Sequence, residues 1–184
     1  PWAGPTRRTF SDFLRWKLFS TNPYEREKKT PVEFKVEKPD FDGLEKTGLD
    51  YIVWLGHSTV LIKASGRRII TDPVFWDVNF LLKRKTPFPT DPQKLPPIDY
   101  VLISHGHYDH LDTKSIEYLK KRYDPYFVTG PGYGAYFASL GIKKHIALDW
   151  TDRYADKGLV ITSLPAQHWS KRTFSDTNRM LLCS

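Results

Sequence analysis

Ser104-His105-Gly106-His107-Tyr108-Asp109-His110-Leu111-Asp112 places three of the chain's six histidines and a carboxylate within six positions. The stretch follows Asp99-Tyr100-Val101-Leu102-Ile103, a short β-branched and apolar run that reads as a buried strand. Imidazoles and a carboxylate crowded just past a strand end suit a zinc or iron site. Such metals take neutral His nitrogens and Asp oxygens, and a loop on a rigid strand lets several donors converge. His105 and His107 are two apart, so an extended backbone points both to one side, where they can share a metal. Asp109 and His110 are adjacent and diverge unless the chain turns, which suits a second metal a few ångströms away.

The rest of the chain bounds what can be built around that loop. At 184 residues, with 40% hydrophobic and 27% charged positions, it can bury a sizeable core as one domain. A net charge of +7 favours anionic partners such as phospholipid head groups or nucleic acid. The basic residues are scattered and no nucleic-acid module is recognisable, so lipid is preferred and nucleic acid is not expected, with a solvated basic surface that has no partner as the alternative. One cysteine, Cys183, excludes an internal disulfide and leaves the compartment open. No apolar run approaches the ~20 residues of a membrane span, and no signal-peptide pattern is present. The chain opens on Pro1, from which a processed or truncated start is expected.

Residues 1–48 read as an N-terminal extension. Within it, Phe10 to Phe19 has helical spacing, with Ser11 or Asp12 as a cap. Its apolar face beside Arg7, Arg8, Arg15 and Lys17 suits either packing on a domain or lying in a membrane interface. Asn22 to Asp42 is polar and broken by Pro23, Pro31 and Pro39, which predicts an irregular strap. From Tyr51 the pattern turns to strands: 51–55, 59–63 and 67–71, with turns at Gly56-His57-Ser58 and Ser65-Gly66. The proline-rich stretch 74–97 carries Lys83-Arg84-Lys85 among aromatics and reads as a strap or a loop at a site mouth. Asp112 caps a helix over 113–122, a strand follows at 126–128, and a glycine turn leads to a short helix ending near Gly141. Strands at 145–148 and 158–164 close the series, and His145 lies in a plain β pattern.

His105-Gly106-His107-Tyr108-Asp109-His110 after a strand resembles the signature of the metallo-β-lactamase-fold hydrolases. Trp54-Leu55-Gly56-His57-Ser58-Thr59, Thr71-Asp72-Pro73-Val74-Phe75, Pro96-Pro97-Ile98-Asp99, Ala147-Leu148-Asp149-Trp150 and Gln167-His168-Trp169-Ser170-Lys171-Arg172-Thr173 narrow the resemblance to one branch. That branch is the phospholipase D that hydrolyses N-acylphosphatidylethanolamine. The resemblance implies an α/β fold, an αββα sandwich, with residues 49–184 forming its N-terminal portion. It implies zinc as cofactor, with His105 and His107 on a first ion and Asp109 and His110 on a second, the latter two also catalytic. His168 becomes the third imidazole of the first ion, leaving the open position a catalytic metal requires. Asp72 either supports a ligand histidine from behind or caps an Asx-turn before Pro73. His57 is expected to donate to substrate or to a loop carbonyl. Lys171 and Arg172 either hold a phosphate or stand as surface cations.

The implied reaction is phosphodiester hydrolysis of a phospholipid at a membrane surface, releasing N-acylethanolamine and phosphatidic acid. A lactonase or other phosphoester hydrolase of the same fold, and a metal-binding fragment without turnover, are the alternatives. The family also needs a bridging carboxylate after a later strand and a further histidine. Asp176 follows His168 too soon to be the first, and no histidine follows His168. Leu181-Leu182-Cys183-Ser184 departs from the Trp-Gly-Ser-like continuation the family would carry. The expectation is therefore a chain lacking the C-terminal half, holding one ion well through His105, His107 and His168. Exposed apolar surface would then favour homo-oligomers or binding of the missing half.

Overall fold

The computed structural model describes residues 10–21, 23–25, 34–79, 83–166 and 168. Two compact units divide the chain, Pro1–Lys35 and Val36–Ser184. The first contains helix α1 (Phe10–Phe19), on which Trp16, Leu18 and Phe19 are exposed. Lys171, Arg172, Asp176 and Cys183 lie outside the described residues. Among the described residues, no helix is long and apolar enough to cross a membrane.

The second unit is built on a six-stranded sheet in the order β1 to β6. Its strands are β1 (Tyr51–Gly56), β2 (Thr59–Ala64), β3 (Arg67–Thr71), β4 (Tyr100–Leu102), β5 (Tyr126–Thr129) and β6 (His145–Ala147). The first three are antiparallel, joined by tight hairpins, and β3 to β6 run parallel. At the β2–β3 turn, Ser65 and Gly66 both take positive φ (50° and 72°), the pairing of dihedrals that matches strand twist in a two-residue hairpin.

Period-2 alternation sorts the sheet into two faces. Val53, Leu61, Ile70, Val101, Phe127 and His145 stand opposite one another across all six strands. This row meets α2 (Phe41–Lys46), α3 (Thr113–Tyr123) and α4 (Gly134–Ser139), whose Phe41, Ile116, Leu119 and Phe137 complete the main core. The opposite face places Ile69, Tyr100 and Val128 against Leu148 and Leu159. A separate hairpin of β7 (Arg153–Asp156) and β8 (Leu159–Thr162) contributes Leu159, Tyr154 and Ile161 to that second layer. On the same strand surface, Ile52 and Trp54 of β1 remain exposed.

Two of these elements depart from the pattern the sequence predicts. Strand β7 is mostly polar and was not expected, because Arg153-Tyr154-Ala155-Asp156 lacks the β-branched run that marks a strand. Pairing with β8 and the Arg67–Asp156 ion pair (2.7 Å) hold it instead. Helix α2 starts where the polar strap was expected to end. Asp40 caps it through Gly43 N (3.0 Å), and a side chain at Gly43 would collide with the capping carboxylate. Glu45 then fixes α2 to the sheet by accepting from Arg68 Nε (2.8 Å) and Tyr51 Oη (2.6 Å), with Lys63 3.3 Å away.

Candidate metal centre

The parallel strands deliver the site. Residues at the C-terminal ends of β3 and β4 emerge side by side because Thr71 pairs with Leu102, and Asp72 N donates to Leu102 O (2.9 Å). After β4 the chain enters the His-rich loop. That loop turns on itself: the backbone N–H groups of His110 and Leu111 both donate to His107 O (3.1 and 2.8 Å). Buried Leu111 plugs the loop into the core, and Asp112 caps α3 through Ser115 N (3.0 Å). Both ends of the loop are therefore anchored, one by a strand and the other by a capped helix.

Asp72 organises the imidazoles from beneath. Its backbone is left-handed (φ 35°), a conformation Asp tolerates better than most residues, and its side chain is buried. One oxygen accepts from Ser104 N (2.7 Å); the other accepts from Ser104 Oγ (2.6 Å) and lies 2.8 Å from His110 Nδ1. A carboxylate only accepts, so His110 carries a hydrogen on Nδ1, and in the neutral tautomer Nε2 is the atom that can bind a metal. Ser104 Oγ spends its hydrogen on Asp72, so at 2.9 Å from His105 Nδ1 it accepts, which leaves His105 Nε2 bare as well. The sequence left Asp72 open between a turn cap and a support beneath the histidines. Its side chain lies against Ser104 and His110.

Two groups of donor atoms result. His105, His107 and His168 form one, with His105 Nε2 2.8 Å from His107 Nδ1 and the His168 ring 4.6 Å from the His105 ring by centroids. His57, Asp109 and His110 form the other, and in each group every potential ligand atom lies within 4.8 Å of the rest. Burial, reinforced by the nearby imidazoles of His110, His107 and His168, pushes His105 down to about 4. His107 is lowered by burial and by His168. Both rings are thus neutral at physiological pH and present nitrogen lone pairs. Neutral His105 and His107, with His168 close by and a carboxylate in the neighbouring group, fit a divalent cation of zinc type.

His57 reaches the site from the β1–β2 turn, 53 residues away from His110 in the chain. It has φ 49° and follows Gly56 at φ 103°, and Trp54 Nε1 donates to its carbonyl (2.8 Å). Arg84 braces this turn by donating to Leu55 O (3.3 Å) and Val74 O (2.6 Å), and its Nη2 lies 2.7 Å from where a Cβ on Gly56 would sit. The sequence names Ser104 and Arg84 within their stretches but assigns neither a role at the site. Ser104 carries one usable signal, a hydroxyl residue directly between a strand end and a histidine.

Beside the second donor group opens a cleft of about 400 Å³ lined by His57, Asp109, Lys83, Arg84, Lys85 and Val74. His145, by contrast, lies on the helix face of β6, stacked on Phe137 (4.8 Å between centroids) and bonded to Thr129 Oγ1 (2.9 Å), so it serves the core.

Comparison with known proteins bears on this arrangement. A family model described as "Beta-lactamase superfamily domain" matches residues 67–184. A Saccharomyces cerevisiae protein named "N-acyl-phosphatidylethanolamine-hydrolyzing phospholipase D, mitochondrial" is 37% identical over 144 residues, covering 73% of this chain and 30% of that protein. A Caenorhabditis elegans protein named "N-acyl-phosphatidylethanolamine-hydrolyzing phospholipase D 1" is 32% identical over 154 residues, covering 71% of this chain and 41% of its own length. The chain therefore spans 30% and 41% of the lengths of these two relatives. Among solved structures, Igni18, described as a novel metallo hydrolase from the archaeon Ignicoccus hospitalis, superposes with a TM-score of 0.53 at 23% identity. That match covers 72% of this chain and 52% of Igni18, and is a likeness of fold.

Proposed function

The chain belongs to the β-lactamase superfamily, and we propose that it carries the metal-binding residues of a zinc-dependent phosphodiesterase acting on N-acylphosphatidylethanolamine. The observation that carries this reading is the hydrogen-bond chain from Asp72 through Ser104 to His105 and directly to His110, which turns the Nε2 atoms of both rings toward the other donors of the two groups. His105, His107 and His168 would hold a first cation, and Asp109 and His110 contribute to a second. When bound, such cations polarise a phosphoryl oxygen and activate water.

The chain's own residues do the remaining work. Asp72 keeps the His110 proton at Nδ1, and Ser104 keeps the His105 proton at Nδ1, so neither ring turns its N–H toward the donor opening. Lys83 and Lys85, on the rim of the cleft beside Asp109, offer positive charge to a phosphodiester. The reaction adds water across the bond between phosphorus and the N-acylethanolamine oxygen. That oxygen leaves with a proton as N-acylethanolamine, and phosphatidic acid remains. The names of the yeast and nematode relatives support this choice of substrate. Exposed Trp16, Leu18 and Phe19 beside Lys17 on α1 are suited to a membrane interface.

The test is to load the chain with zinc and present vesicles containing N-acylphosphatidylethanolamine, alone and with a polypeptide corresponding to the part of the yeast relative that this chain does not span. Release of N-acylethanolamine, lost in His105→Ala and His168→Ala, is the expected result. Hydrolysis of a lactone with the lipid untouched, or zinc binding without hydrolysis in either arrangement, would overturn the substrate assignment.

A further inference from the structure

We infer that His57 is a metal ligand, completing with Asp109 and His110 a second cation position in this chain. The inference rests on the metal-binding reading above and adds to it a residue from a different part of the fold. On sequence alone the second position has two donors, both from the His-rich loop. The structure brings a third to them from the β1–β2 turn.

The distances carry the argument. His57 Nε2 lies 3.2 Å from Asp109 Oδ2 and 3.3 Å from His110 Nε2, and His110 Nε2 lies 4.0 Å from Asp109 Oδ2. Donors bonded at about 2.0–2.1 Å around a tetrahedral centre stand about 3.3 Å from one another. Two of the three separations match that value, and the third is wide by the amount a small side-chain rotation closes. Two imidazoles also meet through the same kind of nitrogen. In the neutral ring His110 Nε2 carries the lone pair, because Nδ1 holds the hydrogen that it donates in the bond to Asp72. A second nitrogen and a carboxylate oxygen converging on that lone pair is the donor set of a His₂Asp site.

The backbone around His57 is arranged for one orientation. Its φ of 49° is uncommon for a residue with a Cβ, and the turn is held from outside the site: Trp54 Nε1 bonds the His57 carbonyl and Arg84 bonds Leu55 O. The ring is about half exposed, its side chain keeping 49% of its accessible surface, so a cation can enter from the adjoining cleft.

A plainer role for His57 is to hydrogen-bond Asp109 and orient it. Glutamine separates the two, because its amide can still donate to Asp109 but is a poor ligand for zinc. Titrate the full chain with Zn²⁺ against a chromophoric chelator, and with Co²⁺ while following its d–d absorption. Do this for the wild type, His57→Ala, His57→Gln and His105→Ala. The expected result is two ions per wild-type chain. Both His57 variants should keep one ion, with affinity for the other weakened by about 100-fold or more, since losing a partner behind a ligand already costs about 10–100-fold. His105→Ala should instead weaken the ion that His57 does not touch. Two ions of unchanged affinity in His57→Ala, rescue by glutamine, or a wild type that binds a single ion would each overturn the role of His57 while leaving the first metal position standing. A wild type that binds no ion at all would overturn the metal reading itself, and this one with it.

Discussion

Replacing Asp72 by asparagine changes one atom of the side chain and leaves the left-handed backbone (φ 35°) within reach of the new residue. The Asp72 carboxylate is surrounded by three donors: Ser104 N at 2.7 Å, Ser104 Oγ at 2.6 Å and His110 Nδ1 at 2.8 Å. An amide has one acceptor oxygen. If it stays on Ser104 N, the amide N–H₂ faces Ser104 Oγ and His110 Nδ1. The hydroxyl can turn to accept, but His110 can accept only by moving its proton to Nε2. That proton then occupies the lone pair aimed at Asp109 and His57. Loss of a supporting partner behind a metal ligand lowers affinity about 10–100-fold, or about 1.4–2.7 kcal/mol. Zinc titration against a chelator should show that loss at the position served by Asp109 and His110. Imidazole ¹⁵N shifts of the apo protein should report the His110 proton moving from Nδ1 to Nε2. Zinc affinity within a factor of two of wild type, with His110 still protonated on Nδ1, would show that Asp72 does not set the His110 tautomer.

Other expectations follow from the same structure. The Arg68 guanidinium, helped by Tyr51 and Lys63, holds Glu45 down to about 2 from an ordinary 4.5. A carboxylate depressed on folding stabilises above its unfolded value and loses that contribution as pH falls through the folded one. Discounted for its partial exposure, Glu45→Gln should therefore cost about 1–2 kcal/mol in urea unfolding at pH 7, with the difference between the two proteins closing as pH falls toward 2–3. Phe127 is fully buried against Phe137 (5.4 Å between centroids), so Phe127→Ala should cost about 3–5 kcal/mol by the same assay. Lys83→Gln with Lys85→Gln should weaken association with anionic vesicles at low salt by about 30-fold, at about 1 kcal/mol per cation, and leave it unchanged at high salt. Co-sedimentation indifferent to these changes would direct attention to α1 instead.

How much of this was legible in the sequence depended on how local each signal was. The spacing of His105 and His107 after a β-branched strand is local, and so are the Ser65-Gly66 turn, which has positive φ at both residues, and the Asp112 cap. His57 was legible as a turn residue but not as a neighbour of His110, because the successive pairing of β1 with β2, β2 with β3 and β3 with β4 brings the two together. Asp72 stood between two readings for a physical reason: an Asp with positive φ in a turn and an Asp beneath a histidine share one sequence signature, and here one residue has both properties. Helix α2 was hidden by its length of six residues and by Gly43 inside it, which lowers helix propensity while making room for the cap. Strand β7 was hidden by its polarity, since it is held by pairing with β8, by the Arg67–Asp156 ion pair and by Tyr154 as its one large apolar side chain, none of which is a β-branched run.

X-ray absorption at the zinc edge of the chain loaded with one equivalent of zinc reads the His105, His107 and His168 position itself. The expected spectrum has imidazole scattering from three rings at about 2.0–2.1 Å, no sulfur in the first shell, and one ring fewer in His168→Ala. A first shell containing sulfur at about 2.3 Å, or one of light atoms without imidazole scattering, would contradict it.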